Sequence, residues 1–151
     1  MSFDHVGLGL YVGGCAAAVD FEALAAEGVT AILNVAAELD VPLPERLLNP
    51  PERHKVGFED GWDALDAEIL AAVLVLDAVA ARHSRVLVHC AGGISRSPAV
   101  AACWLAWRRG ERIEEAILDV MKSRDAADPC PALVCKATRV LDRLNQMFPR
   151  G

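Results

Sequence analysis

Residues 88–98 of this chain read VHCAGGISRSP, and this stretch decides the fold. It begins in a short apolar run, residues 85–89, which predicts a buried strand. A helix is predicted from Pro98, a proline tolerated in the first turn, to Arg109, with Gly110 after its end. Ligands of open α/β sheets bind where a strand passes into a helix in this way. We therefore expect a ligand loop within an α/β domain.

The composition of this loop indicates a site for a dianion. Gly92 and Gly93 allow successive backbone N–H groups to turn inward, and the following helix contributes the positive end of its dipole. Arg96 adds a planar, permanently charged fork that can hold two phosphate oxygens at once. We predict that phosphate is bound by the loop residues Ala91, Gly92, Gly93, Ile94, Ser95 and Arg96.

Cys90 stands at the base of the same loop, where the inward amides, the helix dipole and Arg96 favour a thiolate over a thiol. A thiolate that attacks phosphorus forms a cysteinyl-phosphate, which divides one slow hydrolysis into two displacements. Ser97 could donate its hydroxyl hydrogen to the sulfur in the second step, and His89 is expected to orient the loop backbone. The alternative is that Cys90 is a core thiol beside a tight turn, which would leave Arg96 buried without an anion.

The rest of the chain alternates strands with helices. Strands are predicted at 6–13, 29–36, 54–58 and 85–89, and helices at 16–27, 65–82, 98–109, 113–123 and 133–148. Four prolines between residues 39 and 51 predict a loop. This alternation predicts a three-layer α/β/α fold with a central, mostly parallel sheet. Because no repeat or linker divides the chain, we expect residues 1–151 to form a single domain.

Composition and charge exclude several classes of protein. The chain has 151 residues and is 54% hydrophobic, enough to bury an aliphatic core. Its formal net charge of -6 at pH 7 argues against a nucleic-acid partner. The longest apolar run, residues 69–76, is predicted to be a buried helix, because a membrane span needs about 18 apolar residues. We expect a monomer in the cytoplasm that could also enter the nucleus.

The cysteines are expected to be free thiols in a reducing compartment. Their number is odd and their spacing is not that of zinc ligands, so no metal site is predicted. Apart from Cys90, each is expected to be a small buried hydrophobe. An alternative for Cys103 and Cys15 is that either forms a protective disulfide with an oxidised Cys90. The five are Cys15, Cys90, Cys103, Cys130 and Cys135.

The loop resembles that of the dual-specificity protein phosphatases, whose pattern is His-Cys-x-x-Gly-x-Ser-Arg-Ser. The six fixed positions are matched by His89, Cys90, Gly93, Ser95, Arg96 and Ser97. Residues 10–13, 32–35 and 101–106 also resemble this family, and the size resembles its small atypical members. The resemblance implies a protein tyrosine phosphatase-like fold. It also implies hydrolysis of phosphotyrosine and phosphoserine or phosphothreonine in protein substrates, without metal or cofactor.

The resemblance also implies a general acid for the leaving group. In the family this acid is an Asp about thirty residues before the cysteine, and Asp60 stands thirty positions before Cys90. Asp63 and Asp66 are the neighbouring alternatives. However, Asp63 or Asp66 is expected instead to cap the helix that begins near residue 65.

The segment from Arg124 to Val134 departs from the family pattern. Many relatives have an Asn and an aromatic residue after a proline there, whereas residues 129–133 of this chain read PCPAL, so we expect different support of the loop. Two other functions stay open: a phosphate-binding adaptor of low activity, and a phosphatase of a non-protein phosphomonoester such as a phosphoinositide. Relatives with non-protein substrates usually carry Lys or Arg inside the loop, whereas Ala91, Gly92 and Ile94 are neutral. Protein substrates are therefore favoured.

Overall fold

The computed structural model describes residues 2–150, whose strands form one sheet in the order β1-β2-β5-β3-β4. β1 pairs antiparallel with β2, and the other neighbours are parallel. The central, mostly parallel sheet is therefore confirmed. The strands are β1 (Phe3–Gly7), β2 (Leu10–Gly13), β3 (Ala31–Ala36), β4 (Glu52–Phe58) and β5 (Val86–His89).

Helices cover both faces of the sheet, as a three-layer α/β/α fold requires. They are α1 (Cys15–Ala18), α2 (Phe21–Glu27), α3 (Asp66–Ala80), α4 (Arg96–Arg109), α5 (Ile113–Ser123) and α6 (Pro131–Met147). The smaller apolar cluster joins α1 and α2 to one face, and the larger cluster joins the other four helices to the opposite face. A short 3-10 helix, Gly61–Asp63, precedes α3.

Successive side chains of the middle strand, β5, point to opposite faces of the sheet, so they belong to different apolar clusters. Val86 and Val88 belong to the larger cluster, together with Cys90 just beyond the strand, whereas Leu87 belongs to the smaller cluster. All four residues of β5 are buried, as expected for a strand covered on both faces. β5 therefore ends in the interior, and the loop that follows it begins at the buried Cys90.

Two predicted elements are wrong in detail. Residues 6–13 are not one strand but parts of the β1–β2 hairpin, whose turn takes positive φ at Leu8 and Gly9. The helix predicted at 16–27 is broken, because the Asp20 carboxylate accepts a hydrogen bond from the amide of Ala23 and starts α2 anew. The other predicted helices and strands lie within two residues of the observed bounds.

The start of α3 also differs from the prediction. The carboxylate of Glu68 accepts a hydrogen bond from the amide of Leu65 at 2.9 Å, so neither Asp63 nor Asp66 is the cap. Asp66 instead pairs with Arg139 of α6. The long apolar run lies inside α3, where Ile69 and Leu76 are fully buried, as predicted. Among residues 2–150, no helix is long and apolar enough to cross a membrane.

Candidate active site

The loop that follows β5 is held against the end of β2. Gly93 has a φ of +66°, and a Cβ added there would lie 2.6 Å from the carbonyl carbon of Gly13. This close approach and the left-handed backbone both require glycine. The amide of Cys90 donates to the carbonyl oxygen of Gly13 at 3.3 Å, and the amide of Cys15 donates to that of Ala91 at 2.8 Å. The loop is thus fixed at its base.

Cys90 lies at that base, 3% exposed, with its Sγ 3.1 Å from the Oγ of the fully buried Ser97. The Ser97 hydroxyl also lies 3.1 Å from the carbonyl oxygen of Gly13, to which it donates. A hydroxyl has one hydrogen, so the thiol can donate to Ser97 while Ser97 donates to Gly13. When the sulfur is ionised, the same hydroxyl can turn and donate to it. The pair therefore suits both states of the sulfur.

Arg96 is held by Glu38, a residue that our sequence analysis did not single out. The two Glu38 oxygens accept from Nη1 at 2.5 Å and from Nη2 at 2.8 Å, and Nη1 also donates to the carbonyl oxygen of Phe58 at 2.9 Å. Hydrogen bonding to Arg96 lowers the pKa of Glu38, and the same bond raises the pKa of Arg96. These contacts within residues 2–150 use three of the five guanidinium N–H groups. The other two, on Nε and Nη2, form a fork on one edge.

His89 is 1% exposed and contacts the loop backbone, with Nδ1 3.2 Å from the carbonyl oxygen of Cys90. Burial lowers the pKa of His89, so its imidazole is neutral at pH 7. A carbonyl oxygen only accepts, so Nδ1 carries the hydrogen of the neutral ring. His89 therefore orients the first peptide of the loop.

Asp60 lies at the mouth of the loop, just before the 3-10 helix. Its Oδ1 accepts hydrogen bonds from the amide of Gly61 at 2.9 Å and from the Oγ of Ser95 at 3.0 Å. The Sγ of Cys130 lies 3.7 Å from the same oxygen. Asp63 is exposed in the 3-10 helix, and no hydrogen bond among residues 2–150 joins its side chain to the loop. Of the two carboxylates, Asp60 is the one in contact with the loop.

The segment that departs from the family pattern supports the loop in its own way. Arg124, which is 8% exposed, donates from Nε to the carbonyl oxygen of Gly93 at 2.8 Å and from Nη1 to Asp4 at 2.9 Å. The amide of Asp128 donates to the carbonyl oxygen of Ile94 at 2.7 Å, and that of Cys130 donates to Ser95 Oγ at 3.0 Å. These donors bind the carbonyl oxygens of Gly93 and Ile94 and the hydroxyl of Ser95, so three consecutive residues of the loop are held in place. Nothing in the local sequence around Arg124 or Glu38 indicated these roles.

The other cysteines differ in burial. Cys103 is fully buried in α4, as predicted, and burial raises its pKa to about 12. Cys15 and Cys135 are exposed and Cys130 is half-buried, so for these three the predicted full burial is wrong. All five thiols are free. The Cys103 sulfur contacts the carbonyl oxygen of Ala137 at 3.6 Å, within the packing of α4 against α6.

Comparisons with known proteins agree with this geometry. The sequence model described as "Dual specificity phosphatase, catalytic domain" matches residues 10–135. Protein-tyrosine-phosphatase MKP1 of Arabidopsis thaliana is 30% identical over 97% of this chain and 18% of its own length. Human dual specificity protein phosphatase 4 is 32% identical over 80% of this chain and 30% of its own length. The chain therefore spans less than a third of these curated relatives.

Some solved structures match this chain over nearly its whole length and over nearly their own. A mouse putative dual specificity phosphatase complexed with zinc tungstate has a TM-score of 0.84 at 25% identity, covering 99% of this chain and 94% of that one. Human DUSP28 has a TM-score of 0.82 at 25% identity and covers 96% of each chain.

Proposed function

Because this chain belongs to the dual specificity phosphatase family, we propose that it hydrolyses phosphotyrosine and phosphoserine or phosphothreonine in proteins. One observation carries the proposal: Cys90 Sγ lies 3.1 Å from Ser97 Oγ, at the base of a loop that also presents the Arg96 fork. The mouse neighbour was solved with tungstate, a tetrahedral oxyanion like phosphate. A similar oxyanion above Cys90 would meet the inward amides and the free edge of Arg96.

In the first step the Cys90 thiolate attacks phosphorus. The new bond is S–P, the bond that breaks joins phosphorus to the substrate oxygen, and the carboxyl group of Asp60 gives its proton to that oxygen. The free Nε and Nη2 hydrogens of Arg96 can hold two equatorial oxygens of the transferring group. The products of this step are the dephosphorylated protein, a cysteinyl-phosphate and the Asp60 carboxylate.

In the second step water attacks the cysteinyl-phosphate. The Asp60 carboxylate takes a proton from this water as the new P–O bond forms and the S–P bond breaks. The sulfur leaves as a thiolate, which the Ser97 hydroxyl stabilises by donating its hydrogen over 3.1 Å. Inorganic phosphate leaves, and the thiolate and the Asp60 carboxyl group are restored. No metal or cofactor takes part in either step.

The two alternative functions have less support. An adaptor that only binds phosphate would have no use for the Cys90–Ser97 pair, which stabilises a leaving thiolate rather than a bound anion.

We further propose that residues 1–151 act as a single catalytic domain and as a monomer in the cytoplasm. The five free thiols fit a reducing compartment.

The proposal is tested with para-nitrophenyl phosphate in buffer that contains EDTA. The wild-type protein should release para-nitrophenol, and Cys90→Ser should abolish the release. Cys135→Ser is the matched control, because Cys135 is an exposed thiol on α6 and its loss should leave the rate unchanged. Acid quenching should trap phosphate on Cys90, detected by mass spectrometry of the peptide. Turnover that survives Cys90→Ser would remove the mechanism.

A further inference from the structure

Two large apolar side chains are exposed beside the candidate active site. Trp62 is 72% exposed and Ile94 is 49% exposed. Trp62 follows Asp60 by two residues, and Ile94 is next to Ser95, whose Oγ lies 3.0 Å from Asp60. Trp62 and Ile94 therefore lie within two residues of the partners of one hydrogen bond at the loop, Asp60 and Ser95. Exposed apolar surface that borders a ligand site is a common mark of recognition.

The Trp62 ring and the backbone of Ile94 each have a partner in a neighbouring segment. The Nζ of Lys136 in α6 lies 5.7 Å from the centroid of the Trp62 ring, and Lys136 is only 8% exposed. One face of the indole therefore covers a cation, and most of the remaining ring surface is open to solvent. The carbonyl oxygen of Ile94 accepts from the amide of Asp128 at 2.7 Å, which fixes its backbone. Little conformational entropy is lost when a ligand contacts such a surface.

The charges around Trp62 restrict what can bind. Glu59, Asp60 and Asp63 are all exposed within five consecutive residues. Two cations of this region are already engaged, since Lys136 lies beneath the indole and Arg124 pairs with Asp4. Acidic groups beside the transferred phosphate would therefore meet like charge without a partner. These charges therefore favour an apolar residue next to the phosphorylated residue and oppose an acidic one.

We infer that Trp62 and Ile94, together called the apolar rim, select phosphoproteins with a large apolar residue next to the phosphorylated residue. The inference rests on the proposed function and specifies its substrate class. When the phosphate enters the loop, the neighbouring apolar side chain packs on the open part of Trp62 and against Ile94. Acidic flanking residues and multiply phosphorylated inositol rings are disfavoured.

The test measures binding to Cys90→Ser protein, so that it does not depend on turnover. Two fluorescent phosphotyrosine peptides are compared by anisotropy, one with Leu on both sides of the phosphotyrosine and one with Asp. The Leu peptide should bind about tenfold more tightly, a ratio typical of one buried aromatic contact. Adding Trp62→Ala should lower this ratio by about threefold or more, because only the repulsion of the Asp peptide by Glu59, Asp60 and Asp63 then remains, and Trp62→Phe should restore most of the ratio. Leu118→Ala is the matched control, because Leu118 is 57% exposed on α5 and the ratio should not change.

The outcomes separate the two proposals. Equal binding of the two peptides, or a ratio that Trp62→Ala leaves unchanged, would overturn the apolar rim whether or not the protein is a phosphatase. Absence of para-nitrophenyl phosphate hydrolysis by the wild-type protein would overturn the proposed function, while the binding ratio would still decide the rim. Tighter binding of the Asp peptide would show that the acidic residues do not control access, and it would also overturn the inference.

Discussion

Glu38 and Arg96, which are 58 residues apart in the sequence, form a two-pronged ion pair at the candidate active site. The contacts are 2.5 Å to Nη1 and 2.8 Å to Nη2. The pair fixes the plane of the guanidinium and leaves its Nε edge free, so the loop presents a fork that is already oriented before any anion binds. Orientation in advance of binding is a main source of electrostatic stabilisation in catalysis.

The first prediction concerns this pair. Glu38→Gln should lower kcat/KM about tenfold and weaken inhibition by orthovanadate by a similar factor, because a charge-assisted contact becomes a neutral one. Hydrogen bonding to Arg96 holds the pKa of Glu38 below its ordinary value, so the carboxylate is ionised throughout the neutral range. The defect should therefore be equal at pH 5.5 and pH 7.5.

The control for that prediction is Glu45→Gln, which removes an exposed carboxylate of the segment between β3 and β4 and should change neither quantity. If Glu38→Gln instead raises kcat/KM, Glu38 does not orient Arg96 for phosphate but competes with phosphate for it.

The second prediction concerns Asp60 as the proton donor. Asp60→Asn should lower kcat, because the amide has no proton to give to the leaving oxygen. The loss should be larger for phenyl phosphate than for para-nitrophenyl phosphate, since phenolate is the poorer leaving group. Asp63→Asn serves as the comparison. If Asp63→Asn shows this dependence on the leaving group and Asp60→Asn does not, the roles are exchanged.

Features that lie within one contiguous segment could be predicted from the sequence, whereas side-chain contacts between distant segments could not. The loop from Cys90 to Ser97 is contiguous, so residue types and spacing were enough to predict a phosphate cradle and its helix. Glu38 and Arg124 reach that loop from positions 58 and 31 residues away along the chain, to Arg96 and Gly93 respectively. No local pattern distinguishes them from ordinary surface charges, because their roles depend on how the sheet and helices pack.

The secondary-structure errors have local physical causes. The β1–β2 hairpin was missed because its turn uses a positive φ at Leu8, a residue type that rarely takes that conformation. Helix α1 was joined to α2 because the alanines around Val19 favour a helix, whereas the Asp20 side chain competes for a backbone amide. Helices α3 to α6 were predicted well because their apolar positions and end signals agree.

The third prediction concerns Arg124. Arg124→Met keeps much of the side-chain length but removes donors to Gly93 and Asp4, so the Gly93 carbonyl loses a buried partner. We expect the free energy of unfolding in urea to fall by about 2 kcal/mol. Orthovanadate affinity should also fall, because the loop amides are no longer held inward. Arg112→Met, at a side chain that is 78% exposed, should change neither measurement. Unchanged stability in Arg124→Met would mean that the loop holds its own shape.

The last prediction concerns Cys103, whose sulfur is buried where α4 packs against α6. This burial raises the pKa of Cys103 to about 12, so its thiol stays protonated at pH 8. Iodoacetamide at pH 8 should therefore label Cys15 and Cys135 in the native protein and should reach Cys103 only after denaturation.

The pH dependence of the free energy of unfolding tests the raised pKa of Cys103 independently. Because the pKa of Cys103 is higher in the folded state than the ordinary 9.0, its contribution to stability is complete below pH 9 and is lost as the pH rises towards 12. Cys103→Ala should flatten this part of the alkaline unfolding profile, whereas Cys135→Ala should not. The same packing argues against Cys103 as a disulfide partner for an oxidised Cys90, since its sulfur faces Ala137 of α6. A disulfide between residues 90 and 103 after peroxide treatment would require α4 to separate from α6, and it would contradict this account of the core.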